Sequence, residues 1–257
     1  MCQLLGMNCN VPTDIVFSFE GFHRRGGLTD QHADGWGIAF FEEDGWRVFL
    51  DPEPSATSQV ARFVREYPIK SRNVIAHIRK ATQGKVSLAN THPFRRELWG
   101  REWIFAHNGN LDGMPDCTGL RFQPIGNSDS EHAFCWLLDQ IARTFPVAPS
   151  AEELYPYLKE WAAQLAAKGT FNFLLGWHDT LFAHCSTQLW YIVRQAPFTV
   201  AHLADADLAV DFAEVTTPDD RVAVIATQPL TDNELWTQFE SGQLLAFRAG
   251  SLLRICW

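Results

Sequence analysis

A cysteine in second position, Met1-Cys2-Gln3-Leu4-Leu5-Gly6, constrains this chain more than any other feature. Removal of Met1 would make Cys2 the first residue, with a thiol and a free α-amine on one carbon. The thiolate is the nucleophilic form, and a free Cys titrates at about 8.5. An α-amine titrates at about 7.7–8.0, so near neutral pH part of it is unprotonated. Such an amine can take the proton of its own side chain, directly or through one water. The start of the chain would then be tied to its chemistry. The competing reading is structural: residues 3–8 alternate weakly and suit a first strand, with Cys2 merely at its buried start.

Composition narrows the classes. The chain has 257 residues, 46% apolar and 20% charged, ordinary values for a globular protein with a sizeable core. Its ten Trp and nineteen Phe predict an aromatic-rich interior or an aromatic-lined cleft. A net charge of -9 argues against nucleic acid and anionic membranes as partners. The first twenty residues place no positive charge ahead of an apolar run, and no stretch has the length of a membrane span. Six Cys are scattered without a C-x-x-C, which argues against structural zinc and a disulfide framework and favours a reducing, cytoplasmic home. Cys9, Cys117, Cys135, Cys185 and Cys256 read as small buried hydrophobes.

Periodicity organises the rest. Pro12-Thr13-Asp14 reads as a helix start, with Ile15, Val16, Phe19 and Phe22 at helical spacing and Gly26-Gly27 as the stop. Trp36–Phe41 and Trp46–Leu50 read as a hairpin. Residues 57–67, 128–145 and 150–168 read as helices, with Gly169 where a C-cap is expected. Asn73–Ile78 and Trp103–Ala106 read as buried strands, and strands are expected at 171–177, 181–185, 188–194, 207–212, 221–227, 243–248 and 251–256. Without repeats or a low-complexity linker, the expectation is one α+β domain over 1–257, built as packed layers.

Four further segments carry chemistry, each with two readings. His77-Ile78-Arg79-Lys80-Ala81-Thr82 delivers a guanidinium to a strand end, either a surface Arg or a fork for a carboxylate. Asn90-Thr91-His92-Pro93-Phe94 holds an extended stretch before Pro or makes a plain turn. His107-Asn108-Gly109 follows an apolar strand, and Asn-Gly there is usually a hairpin turn. The alternative is an oxyanion hole made by a side-chain amide and an adjacent backbone N–H. In Asn127-Ser128-Asp129-Ser130-Glu131, Ser128 or Asp129 could cap a helix, or the carboxylate could take a substrate ammonium.

Cys2, H-x-R-x-A-T at 77–82, N-x-H-P-F at 90–94, H-N-G at 107–109 and S-D-S-E at 128–131, together with Asp34-Gly35-Trp36-Gly37, occur in one order. In that order they resemble the glutaminase domain of class II glutamine amidotransferases, which are amino-terminal-nucleophile hydrolases, and the stand-alone bacterial subgroup above all. The resemblance runs nearly end to end. It implies a four-layer αββα sandwich and attack by Cys2 on the γ-carboxamide of L-glutamine through a γ-glutamyl thioester. Asn108 and Gly109 would form the oxyanion hole, Arg79 would pair with the substrate α-carboxylate, Asp129 would take the α-ammonium, and Thr82 would line the pocket. No cofactor and no metal are implied.

Two positions depart from the family pattern: Gln83 stands where some members have His, and Lys80 where several synthases have an aromatic residue. Both bear on the pocket rim. No P-loop or G-x-G-x-x-G motif is present, so an ammonia-accepting partner subunit would be separate. Rival readings are a hydrolase of another γ-glutamyl amide or peptide, and a non-catalytic module that keeps a glutamine pocket. A metal hydrolase finds no H-x-x-x-H or H-E-x-x-H. His77 and His107 are expected to make structural hydrogen bonds, and the polar, Gly-containing stretch 23–34 is a candidate lid.

Overall fold

The computed structural model describes residues 2–81, 85–114 and 116–254; Thr82, Gln83 and Cys256 lie outside the described residues. β1 (Gln3–Thr13) leads to α1 (Val16–Arg24), the hairpin β2 (Trp36–Glu42) and β3 (Gly45–Asp51), α2 (Gln59–Glu66) and β4 (Ser71–Ile78). A 3-10 turn at Leu88–Asn90 precedes β5 (Phe94–Leu98) and β6 (Arg101–Leu111), and then come α3 (Asp129–Thr144) and α4 (Ala151–Ala166). The remainder is β7 (Gly169–Trp177), β8 (Thr180–Cys185), β9 (Trp190–Gln195), β10 (Val200–His202), β11 (Ala209–Asp211), α5 (Phe212–Val215), β12 (Arg221–Ala226), β13 (Thr237–Gln238), β14 (Gln243–Arg248) and β15 (Ser251–Leu252).

The strands make two antiparallel sheets and a small ribbon. The first sheet runs β13-β9-β12-β1-β4-β2-β3, the second β15-β14-β8-β7-β6-β5, and β10 pairs with β11. Three apolar layers hold them. Leu5, Met7 and Val74 face Phe19 and Phe22 of α1. Leu4, Ile75, Ile104, Ala106, Leu174 and Ile225 fill the space between the sheets. Trp103, Phe105, Phe171 and Phe173 face Phe134, Leu138 and Leu158 of the two long helices. The architecture is the αββα sandwich, and both sheets read as near-continuous apolar runs because both of their faces are covered. Many of the aromatic residues lie in the interior: Phe105 stacks on Phe134 at 5.1 Å and Trp103 on Trp177 at 5.0 Å.

Local signals account for the helices. Ser128 accepts from Glu131 N, and Ser150 with Glu153 completes a capping box, each such cap contributing about 1 kcal/mol. Several boundaries differ from expectation. β1 runs on through Thr13, so Pro12-Thr13 ends a strand rather than starting a helix; Asp14 Oδ1 then accepts from Val16 N. Gly169 opens β7 rather than capping α4, whose C-cap is Ala167. Gly169 has φ +151°, and a Cβ there would lie 2.1 Å from Asn110 O, so close strand pairing explains the glycine. The stretch 207–212 divides between β11 and α5. Among the described residues, no helix is long and apolar enough to cross a membrane.

Candidate active site

Side-chain alternation decides which residues meet. On β1, Leu4 points between the sheets, so Cys2 does too. On β4, Ile75 points inward, which sends His77 and then Arg79 the same way. On β6, Ile104 and Ala106 set the parity that turns Asn108 inward. On β12, Ala223 and Ile225 do the same for Thr227. Register brings these positions to one end of the sandwich: Gln3 pairs with Ile78, and Leu5 with Ala226.

Cys2 sits in a pocket of backbone. Its Sγ accepts from Lys80 N at 3.2 Å and lies 3.4 Å from Lys80 O. Burial pushes the thiol up from its ordinary value, against the opposing pull of the Lys80 N–H and the Arg79 charge. The free thiol is therefore protonated at neutral pH, and a base must remove its proton as it attacks.

Arg79 is 3% exposed and donates through Nη1 to Lys85 O at 3.0 Å. Burial draws its guanidinium down, opposed by the charges of Cys2, Asp34 and Asp129. Asp129 is the first residue of α3, where the positive helix end favours a carboxylate, and its Oδ2 accepts from Leu111 N at 2.8 Å. Ser128, not Asp129, is the cap.

Asn108 and Gly109 lie inside β6, not in a turn. Asn108 pairs with Asn172 and Gly109 with Phe171 of β7. A Cβ on Gly109 would lie 1.8 Å from Thr170 O, so the glycine is there for space between strands. Asn108 is fully buried, its Oδ1 has no hydrogen-bond partner, and its Nδ2 makes one long contact, 3.4 Å, to Thr227 Oγ1. A buried amide with one long protein partner keeps hydrogen-bonding capacity for a ligand.

The site holds residues that the sequence reading passed over. Thr227 Oγ1 also accepts from Leu4 N at 2.9 Å, fixing β12 against the start of β1. Asn172 donates to Asn108 O at 3.0 Å and supports it from β7. An Asn within the apolar run Phe171–Trp177 is the one signal that could have drawn attention to it.

Outer contacts hold the surrounding loops. His107 Nε2 lies 3.0 Å from Thr170 O and Nδ1 2.8 Å from Ser130 Oγ. A carbonyl only accepts, so Nε2 carries the proton and Nδ1 accepts from the Ser130 hydroxyl, tying α3 to β6. The expected structural role holds for His107. Asn90 and Asn127 exchange hydrogen bonds at 2.8 and 2.9 Å, which gives the 90–94 segment the task of joining two loops. The 23–34 stretch is tied down: Arg25 pairs with Asp205 and donates to the carbonyls of Gln228 and Pro229.

His77 packs against a second imidazole: its ring lies 4.1 Å from that of His92, and among the described residues neither ring makes a hydrogen bond of good geometry, although the His107 backbone approaches His77 closely enough to act on its proton. Burial holds both well below the usual imidazole value. Unfolding would free both to titrate near 6.5. Below that pH the unfolded chain binds more protons than the folded one, so stability is full above about pH 6.5 and is lost as the pH falls toward the folded-state values. A Tm series from pH 7.5 to 5.0 should show this decline, and His92→Phe should flatten it; equal slopes would contradict the assignment.

A groove of about 940 Å³ lies elsewhere, between α1 and residues 198–216. No Cys or His lines it, and its Arg24 and Arg194 are ion-paired with Glu20 and Glu234. Size does not make it the reaction site. Among the described residues, no cluster of His, Cys, Asp and Glu could hold a metal.

Residues 1–256 match the model of the class II glutamine amidotransferases. A Haemophilus influenzae protein provisionally named a glutamine amidotransferase is 54% identical over 250 residues, covering 97% of this chain and 85% of that one. The crystal structure of a predicted glutamine amidotransferase from Pseudomonas aeruginosa is 49% identical, with TM-score 0.79, and covers 98% of this chain and all of its own. The glutamine phosphoribosylpyrophosphate amidotransferase of Bacillus subtilis shares the fold at 15% identity, TM-score 0.63, over 98% of this chain and 48% of that one.

Proposed function

The chain belongs to the class II glutamine amidotransferases, and from that premise we propose that it hydrolyses the γ-carboxamide of L-glutamine at Cys2, as one domain over 1–257. With Met1 removed, the Cys2 α-amine takes the thiol proton while Sγ bonds to the amide carbon. The tetrahedral oxyanion is held by the Asn108 side-chain amide and the Gly109 N–H. The carbon–nitrogen bond then breaks, the α-ammonium protonates the leaving nitrogen, and ammonia departs. Water, deprotonated by the same amine, cleaves the thioester to glutamate and restores the thiol.

What supports this reading is the meeting of Cys2, Arg79, Asn108 and Asp129 at one end of the two sheets, with a buried thiol that needs a base. Glutamine carries one carboxylate and one ammonium, which Arg79 and Asp129 complement. Asp129 has lone pairs beyond the one facing Leu111 N. Thr82 is proposed to line the same pocket. The ammonia is proposed to pass to a separate acceptor protein.

The test is a substrate panel read by release of ammonia or amine and of glutamate. Glutamine should be turned over faster than larger γ-glutamyl amides and peptides; the reverse order would move the assignment to γ-glutamyl hydrolysis, and no turnover of any would sink it. Arg79→Ala should raise KM for glutamine about 10–100-fold with a smaller change in kcat, the signature of lost uniform binding. An unchanged KM would remove Arg79 from the carboxylate site.

A further inference from the structure

Asp34 is the residue whose contacts reach furthest into the site without a role so far. It lies half-buried in the loop before β2, beside the strand end that carries Arg79. Three hydrogen bonds join the two segments. Arg79 N donates to Gly35 O at 2.8 Å, Asp34 N donates to Arg79 O at 3.2 Å, and Ala81 N donates to Asp34 Oδ2 at 2.8 Å. The first two continue the pairing of β2 with β4. The third does something different: it fixes the chain after β4, where strand pairing has stopped. Lys80 stands between the two anchored residues, and its N–H is the one that points at Cys2 Sγ.

We propose that Asp34 is a positioning residue for the Cys2 thiolate, its carboxylate holding Ala81 so that the Lys80 N–H stays aimed at Sγ. This rests on the reading of Cys2 as nucleophile. A peptide N–H donated to sulfur favours the thiolate over the thiol and so offsets part of the burial that opposes ionisation. The geometry depends on an acceptor at the position of Oδ2, not on the charge. The charged groups that face Cys2 are the chain's amino terminus, Arg79 and Asp129, while the charge of Asp34 faces Arg79. Asp34 thus reaches the thiol through the backbone.

Downstream, Lys85 O accepts from Arg79 Nη1 and from Asn90 Nδ2, both at 3.0 Å. Lys85 is therefore fastened independently of Asp34. Loss of the Asp34 acceptor would free Ala81, directly after the residue whose N–H meets Cys2.

The experiment is the rate of Cys2 alkylation by iodoacetamide against pH, read by mass on the intact protein and on the amino-terminal peptide. Asp34→Asn keeps an acceptor oxygen and removes the charge; Asp34→Glu keeps the charge and displaces the oxygens; Asp34→Ala removes both. The Asn variant should keep the wild-type profile. The Glu and Ala variants should move its midpoint up by about one to two pH units. An unshifted Glu variant, or an Asn variant shifted as far as the others, would overturn the proposal. So would a wild-type Cys2 that resists alkylation up to pH 10. If Asp34→Ala fails to fold, the Asn and Glu pair still decides. Glutamine turnover is read separately: absent turnover in the wild type, with these shifts present, would overturn the nucleophile reading and leave the Asp34–Cys2 coupling standing.

Discussion

Cys2→Ala should lower glutamine turnover by about 10⁴–10⁶-fold, the loss typical of removing a nucleophile from a set that works as a unit. The loss is one of chemistry and not of stability. Among the described residues, Sγ hydrogen-bonds to the Lys80 backbone, and the side chain is small, so truncation should cost about 1 kcal/mol. A Tm close to wild type with turnover at background would assign the loss to chemistry. Turnover within tenfold of wild type would mean that the reaction is carried elsewhere. The other described cysteines offer no substitute: Cys9, Cys135 and Cys185 are buried with thiols pushed up to about 11, and burial raises the buried Cys117 thiol as well.

Asn108→Ala should lower kcat by about 10²–10³-fold with little change in KM. The side chain is fully buried, yet its oxygen is unbonded and its nitrogen holds only the long contact to Thr227. Removing it breaks no strong bond to the described residues, so the effect should fall on the transition state, where the oxyanion forms. Asn108→Asp is the informative partner, because it keeps the shape and places an acceptor, or a charge, against the developing negative oxygen. It should be at least as slow as the Ala variant. Near-wild-type kcat in either would remove Asn108 from the oxyanion site.

The two Asn108 readings show why part of this site was hidden in the sequence. Asn-Gly after an apolar strand has strong local turn chemistry. What overrides it is β7, some sixty residues later, which pairs with β6 through Asn108–Asn172 and Gly109–Phe171. The glycine that reads as a turn residue is instead the only residue that leaves room for Thr170 O. Non-local pairing decides, and a local window does not contain it.

Helices α3 and α4 were legible because their evidence is local: apolar period, a Ser N-cap and a Glu three residues on. The hairpin β2–β3 was legible for the same reason. The order of the chemical segments pointed to the family, while their meeting place follows from strand parity and register. Thr227 was missed as a site residue because nothing near it in sequence marks it, and it matters through Leu4 on another strand; Asp34 stands in the Asp34-Gly35-Trp36-Gly37 stretch that pointed to the family, but its own role shows only through its contact with Ala81 beyond the end of β4. His77 was read as hydrogen-bonded; beside the His107 backbone it meets a second buried imidazole, contributed by the loop before β5, which no local window contains. Gly37 makes that approach possible, since a Cβ there would lie 2.3 Å from His92 O.

The most direct test of the central claim is the intact mass of the purified protein before and after diazo-oxo-norleucine, an electrophile shaped like glutamine. Loss of Met1 and one adduct that maps to Cys2 and disappears in Cys2→Ala is the predicted result. Retained Met1, or no adduct at Cys2, would contradict an amino-terminal nucleophile in a glutamine-shaped site and favour a binding module that keeps the pocket without the reaction.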